Sequence, residues 1–131
     1  MTIKNMIIVF LLLLISPGIV FSHHSVSLNF DQSEELTLTG KLTKISWRNP
    51  HSHFRLEVLD ENGVTTEWLI EMGALNTMKR VGFKMERFVI LKPISITGWE
   101  GVRNNSLFLL EATLHDGTRL ICAGASCSQE R

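Results

Sequence analysis

Four of the five histidines fall in two close pairs, His23-His24 and His51-x-His53. Imidazole nitrogens gathered this way suit a divalent transition metal, and the remaining donors decide which one. The residues before His23 make the first pair unusual. Lys4 supplies a positive start, Met6 to Ile15 is an unbroken apolar run, Ser16-Pro17-Gly18 breaks it, and Val20-Phe21-Ser22 ends on a small residue. That order is the signature of a cleavable secretory signal over residues 1–22. Cleavage after Ser22 makes His23 the first residue of the mature chain. Its α-amine and its imidazole then chelate from one residue, and one further imidazole, from His51 or His24, completes a T-shaped set of three nitrogens. Such a set favours Cu(II), with nickel or zinc behind it. Both donors of His23 shed protons near neutral pH, as a metal site there requires. Glu71 is the candidate carboxylate, either axial to the metal or bonded to one of its ligands.

Each of these residues also has a plainer reading. His-His at a chain start is a solvated segment, His51 after Asn49-Pro50 caps a turn, and His53 faces solvent at the head of a strand. His115, beside Asp116-Gly117, is a turn residue. Trp47, Trp68 and Trp99 could stack a planar ligand, but core packing is the commoner use of strand tryptophans. Arg48, Arg55 and Arg103 are not clustered in the sequence. Glu57, Glu67 and Glu71 read as a solvated strand face before they read as a catalytic carboxylate pair. The chain has no GxSxG elbow, no phosphate loop and no cysteine with a nucleophile's partner. Cys122 and Cys127 read as a disulfide, since an even pair in an exported chain is expected to oxidise. Its small loop limits its contribution to stability.

The apolar run of the leader is about half the roughly 20 residues needed to span a bilayer, so no membrane span is expected after cleavage. Removal of 22 of 131 residues leaves a length suited to one hydrophobic core. Only Lys4 leaves with the leader, so 12 basic residues face 13 acidic ones. This balance provides no general field for nucleic acid. The expected compartment is the periplasm or the exterior.

The positioning elements are strands. Glu35–Trp47 alternates apolar and polar residues, then changes parity after Gly40, which predicts one long strand with a bend or bulge. Arg48-Asn49-Pro50 is a turn. Phe54 to Val58 and Thr65 to Glu71 form a hairpin about Asp60-Glu61-Asn62-Gly63. Ala74–Val81 carries the only helical spacing, with Gly82 as its stop. Phe88 to Trp99 reads as strand four, Leu107 to Leu114 as strand five, and Thr118 to Cys122 as a short last strand. The segment from His23 to Ser33 reads as irregular with Phe30 as anchor, and the tail from Gly124 as flexible and frayed. Three strands, a helix and two strands, with a long bent first strand, predict an OB-fold-like five-stranded barrel, an all-β class with one short helix. A small β-sandwich is the alternative. A single domain spans residues 23–131.

Several phrases occur in a fixed order: His23-His24-Ser25, Leu38-Thr39-Gly40, Trp47-Arg48-Asn49-Pro50-His51, Glu67-Trp68, Glu71-x-Gly73, Asn76, and Leu114-x-Asp116-Gly117. With them the chain resembles the DUF6152 family of small exported bacterial proteins of unknown function. The resemblance implies an exported OB-like barrel with no established activity. His53 stands where the family usually has an aromatic or aliphatic residue, and Glu86-Arg87 replaces a usual Gly-Asp turn.

The function expected from these residues is a non-enzymatic periplasmic binding module holding copper(II) through His23, with His24 or His51. A module that binds an envelope protein or small ligand, with incidental histidines, is the alternative. A copper-dependent redox enzyme at the same site ranks behind both.

Overall fold

The computed structural model describes residues 26–130; the expected leader over residues 1–22, His23 and His24 lie outside the described residues. A short helix α1 (Val26–Asn29) leads into β1 (Phe30–Ser46), followed by β2 (Ser52–Leu59), β3 (Thr65–Met72) and helix α2 (Leu75–Arg80). A 3₁₀ turn at Met85–Arg87 precedes β4 (Pro93–Gly101), β5 (Ser106–Thr113), β6 (Arg119–Ala123) and β7 (Ser126–Glu130).

β1 is shared between two partners. Glu35 to Lys41 pair with β4, and Lys41 to Ser46 pair with β2. β2 pairs with β3, β4 with β5, and a short parallel pairing of Leu69–Glu71 with Ser106–Phe108 joins β3 to β5. The result is a ring of five strands in the order β1-β2-β3-β5-β4, with helix α2 in the connection between β3 and β4. This is the OB-like connectivity expected, and it sets aside two separate sheets. β6 and β7 extend the sheet beyond β5.

The parity change in β1 is a bulge between Leu42 and Lys44. The bend has a separate cause. A β-carbon on Gly40 would lie 2.3 Å from the Glu57 carbonyl oxygen, so only glycine lets β2 cross β1 this closely.

The ring encloses Leu42, Phe54, Leu56, Ile70, Ile96, Leu107 and Leu109, all buried. Alternation in β2 produces this directly, since Phe54 and Leu56 point inward while Arg55 and Glu57 point away. One end is plugged by aromatics. The Trp47 ring lies 5.9 Å from Phe83 and 5.3 Å from Phe88, and Phe88 lies 5.8 Å from Phe54. At the other end Phe30 packs on Phe108, which stacks with Trp99.

Three boundaries differ from the expectations. β1 begins at Phe30 and not Glu35, because the buried Phe30 pairs with Gly101 across an irregular step. Strand four begins at Pro93 and not Phe88: Leu91 adopts a left-handed φ of 64°, which no ladder accepts, and Phe88 serves as a core plug. The tail from Gly124 is not frayed. It forms β7, paired with β6 from Arg119↔Glu130 to Ala123↔Ser126. Cys122 and Cys127 face each other in that hairpin and are joined by a disulfide.

Candidate metal centre

The turn from Trp47 to His51 is built from its own backbone outward. The buried Ser52 hydroxyl accepts from the Arg48 N–H and donates to the Arg48 carbonyl, both at 3.1 Å. The Ser52 N–H donates to the Gly73 carbonyl at 3.0 Å, which ties the turn to the end of β3. The turn also caps α2. That helix has no side-chain cap of its own at Ala74. The Asn49 side-chain oxygen accepts from the Asn76 N–H at 3.0 Å, and the Arg48 carbonyl accepts from Leu75 at 3.0 Å. These are the first N–H groups that a helix leaves unsatisfied. Asn49→Ala is therefore expected to lower stability by about 1 kcal/mol, the usual effect of losing a cap. A denaturation midpoint unchanged in the variant would sink this assignment.

His51 follows this turn, and β3 brings Glu71 to it. The His51 Nδ1 lies 3.1 Å from Glu71 Oε1. The His51 side chain is 44% exposed and that of Glu71 33%, so both are held yet reachable from solvent. A ring whose Nδ1–H donates to a carboxylate keeps its Nε2 as the nitrogen free to bind a metal, and the carboxylate orients it and raises its basicity.

His53 sits opposite Glu71 in the β2–β3 ladder. Partial burial, then the guanidinium groups of Arg48 and Arg55, hold its imidazole below the ordinary value, while Glu71 pulls the other way. Arg55 is committed to Glu67 at 2.5 Å. Among the described residues no group of three His, Cys, Asp or Glu side chains stands close enough to hold a metal ion. The pair His51 and Glu71 is what the fold brings together from the expected set. His23 and His24, the other two members, lie outside the described residues.

Glu71 also lines a polar cleft of about 380 Å³. Leu28 and Asn29 of α1 form one wall, Leu69 of β3 another, and Arg103 and Asn104 a third. The β4–β5 loop is tied down on both sides, by Val102 N–H to Asn29 O at 2.8 Å and Leu69 N–H to Asn105 O at 2.9 Å. The start of the described chain therefore borders the same cleft as Glu71.

The other candidates separate. The Trp47 and Trp99 rings pack on phenylalanines, and Trp68 packs against the core. His115 stands exposed in the β5–β6 turn. Sequence reasoning missed the capping role of Asn49. Its only signal is a turn asparagine followed at a distance by a helix that lacks its own cap. Among the described residues no helix is long and apolar enough to cross a membrane.

No curated protein matches the chain. A family model does match, over residues 12–106, and its description is a family of unknown function. The match takes in the His-His start, the Trp-x-Asn-Pro-His turn and the Glu71-x-Gly73 strand end, and it stops short of Leu114-x-Asp116-Gly117. The chain belongs to the DUF6152 family.

Proposed function

We propose that this chain is an exported, non-enzymatic binding module of the cell envelope that holds Cu(II) at its mature N-terminus. The α-amine and imidazole of His23 supply two nitrogens, and the His51 imidazole supplies the third through Nε2. Glu71 acts through His51 and does not bind the metal itself. The observation that carries the reading is the 3.1 Å contact from His51 Nδ1 to Glu71. A carboxylate behind an exposed imidazole is the usual support of a metal-binding histidine.

Reach favours it as well. Only two residues separate His23 from Val26, and the three steps between them, at about 3.5 Å each, can reach at most roughly 10 Å. α1, which they precede, borders the cleft that Glu71 lines. Nitrogen-rich, tetragonal donor sets select Cu(II) among divalent ions.

The test is a Cu(II) titration followed by EPR. One protein begins at His23, and the other carries one additional alanine before it. The first is expected to take up one equivalent tightly with a nitrogen-rich spectrum, and the second to lose that site. Equal, weak binding by both would overturn the reading and leave a partner-binding module in its place.

A further inference from the structure

The connection between α2 and β4 ends on a turn of unusual content. Val89, Ile90 and Leu91 are consecutive, and they are 39%, 43% and 65% exposed. The other large apolar residues exposed among the described residues, Leu28, Leu59, Val64, Val81 and Val102, each stand alone in the sequence. A surface run of three is a feature that a soluble domain avoids unless it has a use.

The backbone fixes this run in place. The Lys92 N–H donates to the Val89 carbonyl at 3.3 Å and closes the turn. The Leu91 N–H donates to the Leu42 carbonyl at 2.7 Å, and the Leu42 N–H donates to the Lys92 carbonyl at 3.1 Å. Leu91 and Lys92 thus face Leu42 two against one, the pattern of a bulge whose first residue is ordinarily a left-handed glycine. Here that residue is Leu91, at φ 64°. Leucine is strained in this conformation, and glycine or asparagine is the usual third residue of a turn that needs it. Behind the turn, Phe88 is buried in the aromatic plug. The most exposed of the three side chains therefore stands where the backbone would favour none. Strained residues of this kind collect at functional positions.

Charge around the tip says what it meets. Lys92 belongs to the turn, and Lys41 and Lys44 lie on either side of Leu42, to which the turn is bonded. Lys84 follows Phe83, whose ring lies 5.8 Å from that of Phe88. All four lysines are exposed, and none is in an ion pair among the described residues. Two acids share these surroundings, Glu57 opposite Lys41 and Glu86 in the 3₁₀ turn. The whole chain is balanced, but residues 79–92 hold five basic residues against the single Glu86. Ammonium groups around an apolar tip match a bilayer surface with anionic headgroups, since lysine stems lie along apolar surface while their charges reach the phosphates. A protein partner is matched less well. Three side chains fall short of the roughly 800 Å² per partner that a stable interface takes.

We infer that the Val89–Leu91 turn docks the domain on the surface of a phospholipid bilayer that contains anionic lipid. The three apolar side chains enter the headgroup boundary, and the lysines around them meet the phosphates. The docking needs no copper, and neither His51 nor Glu71 takes part in it.

The test uses the chain that begins at His23, which keeps every described element and lacks the apolar run Met6 to Ile15. Cosedimentation with vesicles of equimolar phosphatidylglycerol and phosphatidylcholine is expected to show binding that weakens in high salt, with far less binding to phosphatidylcholine alone. Leu91→Gly is expected to weaken binding about tenfold. Glycine suits a positive φ, so the same variant is expected to melt no lower than the unaltered chain, which separates loss of docking from loss of fold. Ile90→Ser is expected to weaken binding as well, and Lys41→Gln with Lys92→Gln to weaken it about fivefold per charge removed. No sedimentation with the anionic vesicles overturns the inference. So does equal binding to neutral vesicles, or binding that Leu91→Gly and Ile90→Ser leave unchanged. A concentration-dependent dimer that Leu91→Gly abolishes would give the tip to a second copy and overturn it too.

Discussion

His51→Ala, in the chain that begins at His23, is expected to weaken Cu(II) binding by about two orders of magnitude or more. Glu71→Ala is expected to weaken it about 10–100-fold, the usual effect of removing the group that orients a metal-binding histidine. The difference follows from the geometry. One oxygen of Glu71 already lies 3.1 Å from His51 Nδ1, so its loss frees the ring to rotate but removes no donor atom. Glu71→Gln separates the two roles further. The amide oxygen of that variant still accepts the Nδ1 proton, so His51 stays oriented and the loss is the smallest of the three. Competitive titration against a chelator of known affinity, with EPR of the bound ion, measures all three variants. A Glu71→Gln loss as large as that of His51→Ala would make Glu71 a direct ligand and overturn its proposed role. The fold is expected to tolerate these changes. His51 and Glu71 form a partly exposed pair, and such pairs contribute about 0–1 kcal/mol.

Gly40→Ala is expected to be the most damaging single-methyl change in the first strand. Its β-carbon would sit 2.3 Å from the Glu57 carbonyl oxygen and 2.9 Å from Leu56 Cγ. The first obstacle is backbone in a paired strand, so relief requires β1 and β2 to separate where the ring bends. Overpacking of this kind costs about 1–3 kcal/mol and sometimes more. At the upper end the melting temperature falls by roughly 12–24 °C, at about 4–8 °C per kcal/mol for a domain near this size. Thr39→Ala is the control. Thr39 is exposed, and among the described residues its hydroxyl bonds Ser95 at 3.2 Å. A thermal scan that finds the two variants equally stable would show that Gly40 is not what permits the crossing.

The strands were legible in the chain because burial there is one-sided. Phe54, Leu56 and Val58 alternate with Arg55 and Glu57, and a period of two admits one orientation. The bend at Gly40 and the parity change after it were legible for the same reason. The stop at Gly82 was legible because a positive φ, 76° here, is a local demand that glycine meets. What failed were places where local preference met a tertiary demand. Phe88-Val89-Ile90 has strand composition, yet Phe88 is drawn into the aromatic plug with Trp47 and Phe54, and the ladder waits for Pro93. The tail after Gly124 has weak strand propensity, and its pairing with β6 supplies what its composition lacks.

The candidate site divides in the same way. Residue type and the order of residues 1–22 mark His23, His24 and His51 as candidate donors for the proposed site, because chelation by an N-terminal histidine is a property of one residue. No spacing along the chain brings His51 to Glu71, which lie 20 positions apart. The β2–β3 hairpin register does so, by setting Ser52 against Met72 and His53 against Glu71. Asn49 acquires its role from a helix that begins 26 residues later. Periodicity reports which side of a strand is buried, and residue chemistry reports what a side chain can donate. Which donors meet is set by strand register and ring closure, and those are settled by contacts between segments that the linear order keeps apart.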